Sequence, residues 1–477
     1  MADFDKNLEL KKKNSWQYMS DDTKADVFAL CEDYKKFLDT CKTEREAVRE
    51  AVKMLRAAGF ISLEEAQKAC FGKDELAGKK LYYVHHDKAI FISILGKNGP
   101  ELGLNIIGAH VDNPRLDLRP NPMMENSNLL YFKTHYYGGI KCYQWPTIPL
   151  ALHGVIVKND GTKVDVCVGE DDSDPKFMIS DLLIHLSHEL MEKPASKVTD
   201  PEQLNVLIGS IPGKIDESSE DDKALTVKQN VLTYLFEKYG ICEKDFGSAE
   251  LSIVPAAKAS DIGFDRGLIA GYGHDDRVCA YTELRAFLDF NGTPEKTAVA
   301  YFSDKEEIGS MGITGARSNA LELFAMELCA LYGTSDAYLS TKRALARSKM
   351  ISADVTAAYD PAFSDVYEEH NCARMAHGIA IEKYTGSGGK YNASDASAEY
   401  VAEVTSRFTR GGAFWQLTEM GKIGRGGGGT IAQYMADKGV EVIDCGVPLF
   451  SMHAPMEIAS KADIYWAYKA YLAFING

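Results

Sequence analysis

The sequence predicts an α/β fold in which a mostly parallel sheet is covered by helices on both faces and is interrupted by an inserted domain. Short apolar runs alternate with helical stretches in the outer parts of the chain, which is the pattern of a parallel α/β sheet. Residues 145–259 form a middle block with its own β-rich organisation. A chain of 477 residues also exceeds one simple core, so two domains are expected.

Composition excludes several classes of partner. The formal net charge is -16, whereas nucleic-acid binding usually leaves a basic footprint, so we expect no nucleic-acid partner. No apolar run is long enough to span a bilayer, so we expect no membrane partner. The ten cysteines form no CxxC pair, which indicates reduced thiols and a cytoplasmic protein.

The first part of the chain changes from helices to strands. Residues 20–58 are predicted to be helical, with Thr43 and Glu46 as a capping box and Gly59 as the stop signal. Three short apolar runs follow within residues 79–110 and are predicted strands. The last of them is almost entirely apolar, so we expect it to be buried.

The predicted insert begins at residue 145. Two alternating runs flank Asn159-Asp160-Gly161, which is a strong hairpin signal. A helical stretch, SDLLIHLSHELME (180–192), and an acidic linker, DESSEDDK (216–223), follow before another helix and strand. From residue 260 strands alternate with helices again. The surrounding domain is therefore predicted to comprise residues 1–144 and 260–477.

Five stretches share one design, in which a strand end carries an acid or a histidine. Because α/β folds place ligands at strand ends, we expect these side chains to converge. The stretches are GAHVDNPRLDLRP with His110 and Asp112, GHDDRVCAY with Asp275, SDKEEIGSMG with Glu306 and Glu307, SADVTAAYDP with Asp354, and SMHAPMEIAS with His453.

Together these residues predict a metal centre. Two histidines and three carboxylates suffice for two ions with one bridging carboxylate, and such donors suit zinc, with manganese or cobalt as alternatives. Paired ions activate a bridging water, and a free glutamate beside that water is a competent general base. Each stretch alone also has a plain structural interpretation. The glutamate pair could be a solvated acidic loop, and Asp275 could be a helix cap.

The five stretches, in this order, resemble the aspartyl-aminopeptidase family of co-catalytic metallopeptidases over nearly the whole chain. The resemblance implies a metallopeptidase domain (1–144 and 260–477) interrupted by a β-rich dimerisation domain (145–259). It also implies homo-oligomers in the form of tetrahedral dodecamers built from dimers. The implied activity is removal of N-terminal residues from peptides by metal-activated water, with two divalent ions and a glutamate base.

The resemblance also assigns roles to individual residues. His185 falls where the family has an insert-domain histidine that reaches a neighbouring active site, although by itself it would be a packed helix residue. The implied metal ligands are His110, Asp275 as the bridging ligand, Glu307, Asp354 and His453, with Glu306 as the base and Asp112 supporting the site behind a metal.

The sequence departs from the acid-selective members at the substrate pocket. Those members carry a histidine-rich run ending His-Pro-Asn, and Asp360 in VTAAYDPAF replaces that histidine. They also use a lysine to pair with an acidic substrate, and Glu382 stands at its place, with Lys383 one residue later. Added acids favour a basic substrate residue, so we expect a non-acidic, lysine-preferring pocket. If Lys383 turns inward instead, the preference for Asp or Glu survives.

Two further functions remain open from the sequence. A related metal-dependent amide hydrolase, such as a deacylase, would use the same ligands on another substrate. A shell or cargo protein without chemistry would assemble in the same way. The second function is disfavoured because every matched metal position is present.

Overall fold

The structure is a computed structural model that describes residues 12–213 and 226–477; the predicted linker 216–223 lies outside them. Within the described residues the helices are α1 Asp21–Thr40, α2 Glu44–Ala57, α3 Leu63–Ala69, α4 Lys73–Leu76, α5 His188–Met191, α6 Val227–Tyr239, α7 His274–Asp289, α8 Ala320–Leu331, α9 Ala337–Ala346, α10 Ala398–Arg410, α11 Ala432–Ala436 and α12 Lys461–Asn476. The strands are β1 Ile61–Ser62, β2 Lys80–His85, β3 Ala89–Ile94, β4 Asn105–His110, β5 Arg115–Asn126, β6 Leu129–Tyr137, β7 Leu150–Val157, β8 Lys163–Val168, β9 Val206–Gly209, β10 Ala249–Pro255, β11 Ser260–Ile262, β12 Leu268–Gly271, β13 Ala298–Ser303, β14 Lys349–Ser352, β15 Thr356–Ala357, β16 Ile379–Glu382, β17 Trp415–Leu417, β18 Glu441–Gly446, β19 Pro448–Phe450 and β20 Glu457–Ser460.

Contacts divide the chain into two compact units. The first comprises the residues up to Asp112, Ala259–Met452 and Glu457–Gly477. Its main sheet has nine strands in the order β1-β2-β3-β13-β4-β14-β18-β16-β17. The central strands β13, β4, β14 and β18 are parallel, whereas β3 and β16 pair antiparallel with their neighbours β13 and β18. The predicted parallel arrangement therefore holds for the centre, and the sheet as a whole is mixed.

The central strands are buried on both faces because helices cover both sides of the sheet. All residues of β4 are buried, and successive side chains enter different cores. Ile107 packs in a core that contains Phe287 of α7 and Phe474 of α12. Ile106 packs in a second core with Phe324 of α8. An almost entirely apolar strand is therefore the expected sequence for this position.

The first helices form as the sequence predicts. Ser20 caps α1, and Thr43 and Glu46 form the capping box of α2 through reciprocal hydrogen bonds. Gly59 follows α2 with a φ of 82°, a left-handed conformation that suits glycine after a helix end. No helix within the described residues has the length and apolar character needed to cross a membrane.

The second unit comprises Asn113–Lys258 with His453–Met456. Its sheet is antiparallel, in the order β8-β7-β10-β5-β6-β9, and β7 and β8 form the predicted hairpin. Trp145 is fully buried in its apolar core. The unit begins before the predicted position 145 because β5 and β6 pair with β10 and β9 rather than with the nine-stranded sheet.

The predicted helix over residues 180–192 is largely absent. The structure has a 3-10 turn, Ile184–Leu186, followed by the four-residue helix α5. The large apolar side chains here are nearly consecutive, so they cannot share one buried helical stripe. They are exposed instead, as is His185, which is therefore not a packed helix residue.

Candidate metal centre

The parallel register brings three of the predicted stretches to one edge of the nine-stranded sheet. His110 ends β4 and lies opposite Ser303, which ends β13. On the other side of β4, β14 runs parallel and ends at Ser352. Asp354 and the adjacent glutamate pair therefore emerge on either side of His110. The alignment of strand ends concentrates the acids here.

Two groups of donor atoms within the described residues could hold metal ions. In each group the donor atoms lie within 4.8 Å of one another. His110 Nε2 is 3.2 Å from Asp275 Oδ1 and 3.9 Å from Asp354 Oδ1. Imidazole nitrogen and carboxylate oxygen are donors that zinc accepts, so this set fits zinc chemically. The first group is His110, Asp275 and Glu307, and the second is His110, Asp276 and Asp354.

Asp112 contacts both His110 and the glutamate pair. Its carboxylate accepts hydrogen bonds from the backbone amides of Glu306, at 3.1 Å, and Glu307, at 3.2 Å. Its carbonyl oxygen lies 3.0 Å from His110 Nδ1. A proton held on Nδ1 by this contact leaves Nε2 available as the ligand atom. One residue thus orients both the histidine and the glutamate pair.

The glutamate pair lies on a short 3-10 turn, Glu306–Ile308. Lys305 before it and Gly309 after it have left-handed backbones, with φ of 68° and 88°. Asp304 anchors the loop by accepting a hydrogen bond from Thr314 Oγ1 at 2.5 Å. Burial, together with the nearby charges of Glu44 and Asp112, raises the pKa of Asp304 to about 6.

The electrostatics of the centre call for added positive charge. Burial raises the pKa of Asp354 well above its ordinary value. The positive charge of His110 opposes this rise, whereas the neighbouring Asp275 and Glu306 contribute to it. Burial opposes protonation of His110, but its hydrogen bonds to Asp112 and Asp275 outweigh burial and raise its pKa. Like charges gathered in a buried place are costly, so a bound cation would stabilise them.

Two acids to which the resemblance gives no role, Asp276 and Glu457, accept hydrogen bonds from the backbones of predicted ligands. Asp276 is fully buried, and its Oδ2 accepts a hydrogen bond from the His110 backbone at 3.3 Å. Glu457 is also buried, and its Oε2 accepts one from the Asp275 backbone at 3.0 Å. The sequence indicates both residues by position, because Asp276 adjoins a predicted ligand and Glu457 is the acid within SMHAPMEIAS.

His453 and His185 lie in the second unit and belong to neither donor group of the described residues. His453 Nδ1 is 3.0 Å from the carbonyl oxygen of Gly139. Its assignment as a ligand stays a prediction, as does the role of His185.

The predicted pocket residues have different environments. Asp360 caps a 3-10 turn by accepting a hydrogen bond from Ala362 N at 2.9 Å. Glu382 is 3% exposed and accepts a hydrogen bond from Thr356 Oγ1 at 2.6 Å. Lys383 is exposed, and its Nζ lies 4.0 Å from Asp395 Oδ1. Of the two neighbours, Glu382 points inward and Lys383 points to the surface.

An α/β fold whose strand ends gather a histidine and several carboxylates defines the class of metal-dependent hydrolases. The family model described as aminopeptidase I zinc metalloprotease (M18) matches residues 37–475. The chain belongs to this M18 family and is a metallo-aminopeptidase. The predicted family is confirmed.

Known proteins resemble the chain over nearly its whole length. A probable M18 family aminopeptidase 1 from Clostridium acetobutylicum is 48% identical, with 97% of this chain and 98% of the relative covered. The crystal structure of an M18 aminopeptidase from Thermotoga maritima has a TM-score of 0.91 at 41% identity, covering 98% and 99% of the two chains. A structure titled as the S. cerevisiae mApe1 dodecamer shares the fold, with a TM-score of 0.73 at 21% identity over 93% and 95%.

Replacing Asp112 by alanine is expected to weaken zinc affinity by about 10- to 100-fold, because the lost carboxylate holds the backbone amides of Glu306 and Glu307. Competition with a chromogenic chelator measures the affinity. The matched control is Asp437→Ala, which removes an exposed carboxylate. Equal zinc affinities of the two variants would contradict the supporting role of Asp112.

Proposed function

We propose that this chain is a dinuclear-metal aminopeptidase that removes N-terminal residues from peptides, with Glu306 as general base. One observation carries the proposal, namely that the two adjacent glutamates differ in their surroundings. Glu307 belongs to a donor group with His110, whereas Glu306 belongs to neither donor group of the described residues. The carboxylate of Asp112 accepts hydrogen bonds from both backbone amides and so holds the two glutamates in place.

Two divalent ions, most simply zinc, are the proposed cofactors. When bound, such a pair activates a water molecule and polarises the scissile carbonyl. Manganese and cobalt accept the same donors, so availability decides between them. The residues proposed to hold the ions are His110, Asp275 as the bridging ligand, Glu307, Asp354 and the sequence-predicted His453.

The protein's own residues handle the proton and the substrate amine. Glu306 accepts a proton from the attacking water and delivers it to the leaving amine. The Asp112 hydrogen bond to the Glu306 backbone keeps this base beside the donor groups. The free N-terminus of the peptide is placed near Glu306 or Asp354, where carboxylates offer the opposite charge.

Glu306→Gln keeps the size of the side chain but removes the base. We expect kcat to fall by at least about 100-fold, while bound zinc is retained. Hydrolysis of leucine p-nitroanilide and elemental analysis of zinc measure the two quantities, with exposed Glu399→Gln as the matched control. Full activity would contradict the role, and loss of zinc with activity would make Glu306 a ligand instead.

We propose that the pocket prefers a non-acidic N-terminal residue, lysine above all. The inward position of Glu382 and the surface position of Lys383 support this preference. Asp360 remains a proposed pocket acid. The alternative is an acid-selective aminopeptidase, which would need an inward-facing cation.

A panel of lysine, leucine, aspartate and glutamate amides tests the preference. We expect kcat/KM for the lysine amide to exceed that for the aspartate and glutamate amides by about tenfold or more, because opposite charges pair well in a desolvated pocket. A clear preference for aspartate or glutamate would contradict the assignment of Glu382 as the acid that favours lysine. N-acyl amino acids in the same panel detect a deacylase.

We propose further that the chain forms a homo-oligomer, a tetrahedral dodecamer in which the 145–259 region mediates dimerisation. Exposed apolar side chains at Leu183, Ile184 and Leu186 support an interface in that region. His185 lies exposed among them, as a residue that reaches a neighbouring subunit would. The yeast structure of the same fold is titled a dodecamer.

We also propose a cytoplasmic location, because all ten cysteines are free thiols, as is usual in that compartment.

A further inference from the structure

A second pair of acids, which belong to neither donor group of the described residues, lies in the nine-stranded sheet. Glu382 of β16 lies directly opposite Asp444 of β18 in the antiparallel register. Directly opposed residues place their side chains on the same face of a sheet, close to each other. Both residues are only 3% exposed. The fold therefore brings two carboxyl groups together in its interior.

Hydroxyl groups surround this pair. Thr356 Oγ1 donates to Glu382 at 2.6 Å, and Thr418 Oγ1 lies 3.4 Å from the same oxygen. Thr430 Oγ1 donates to Asp444 Oδ1 at 2.7 Å. The other oxygen, Asp444 Oδ2, is buried and has no hydrogen-bond partner within the described part of the chain. The surroundings are thus built of oxygen atoms, with one acceptor left over.

The charge of the pair is not balanced by the described residues. No Lys, Arg or His side chain among them forms an ion pair with Glu382 or Asp444. Burial raises the pKa of Glu382 to about 7; the charge of Asp444 contributes to this rise, and the hydrogen bond from Thr356 opposes it. Burial also raises the pKa of Asp444 to about 6. Two buried carboxyl groups without a counter-charge are costly at neutral pH.

We propose that Glu382 and Asp444 together bind one cation, which the surrounding threonine hydroxyls help to coordinate. Carboxylate and hydroxyl oxygens are the ligands of hard cations such as an alkali or alkaline-earth ion. The same oxygens would also receive the ammonium of a lysine at the substrate N-terminus. Binding of the substrate ammonium rests on the proposed aminopeptidase function, whereas binding of a free metal ion does not.

The test uses the zinc-loaded full chain, with Glu382→Gln and Asp444→Asn, and with exposed Glu399→Gln as the control. One arm measures Tm in potassium, sodium or calcium chloride against choline chloride at equal ionic strength. If a free ion binds, it raises the Tm of wild type by at least about 2 °C, and both amide variants lose this rise. The control variant keeps the rise.

The other arm measures the ratio of kcat/KM for lysine and leucine amides in choline chloride. If the substrate ammonium is the cation, the ratio falls about tenfold or more in both amide variants. No cation-dependent Tm together with an unchanged ratio would overturn the proposal. If wild type hydrolyses neither amide, the proposed lysine preference fails, while the Tm arm still decides on the cation.

The amide variants preserve side-chain size, and circular dichroism checks their folding. Should either fail to fold, Thr356→Val removes one hydroxyl ligand without changing charge. The cation-dependent rise in Tm or the lysine-to-leucine ratio must then fall relative to wild type. If wild type shows one of these effects and Thr356→Val leaves it unchanged, the result would also count against the site.

Discussion

Repulsion among closely spaced carboxylates at the strand ends is the constraint on which the site depends. Asp275, Asp354 and Glu307 gather around the imidazole of His110. Such a cluster is stable only when hydrogen-bond donors and positive charge offset the repulsion. The backbone amides of Glu306 and Glu307 are part of these donors, because they donate hydrogen bonds to the carboxylate of Asp112. Divalent ions would supply the rest, so the arrangement that makes the site costly also makes it bind metal.

Periodicity and position along the chain were enough to predict the strand ends. His110 and Asp354 follow apolar runs, and neighbouring parallel strands must end at the same edge. The roles of Asp276 and Glu457 could not be predicted, because each accepts a hydrogen bond from a backbone amide whose direction only the fold determines. The limits of the second unit depended in the same way on which sheet β5 joins.

The opposition of Glu382 and Asp444 shows another limit of sequence analysis. The two residues are far apart in the chain, and their strands meet only through the register of β16 with β18. Sequence comparison drew attention to Glu382 as a replaced lysine, but nothing in the sequence pointed to its partner. Long-range strand pairing thus turns one unusual acid into a pair.

Anomalous diffraction from crystals of the zinc-loaded protein, collected at the zinc edge, distinguishes a dinuclear centre from a mononuclear one. We expect two peaks per chain, about 3.5–4 Å apart. One peak is expected beside His110, Asp275 and Glu307, and the other beside Asp354. A single peak, or peaks away from these side chains, would contradict the dinuclear site.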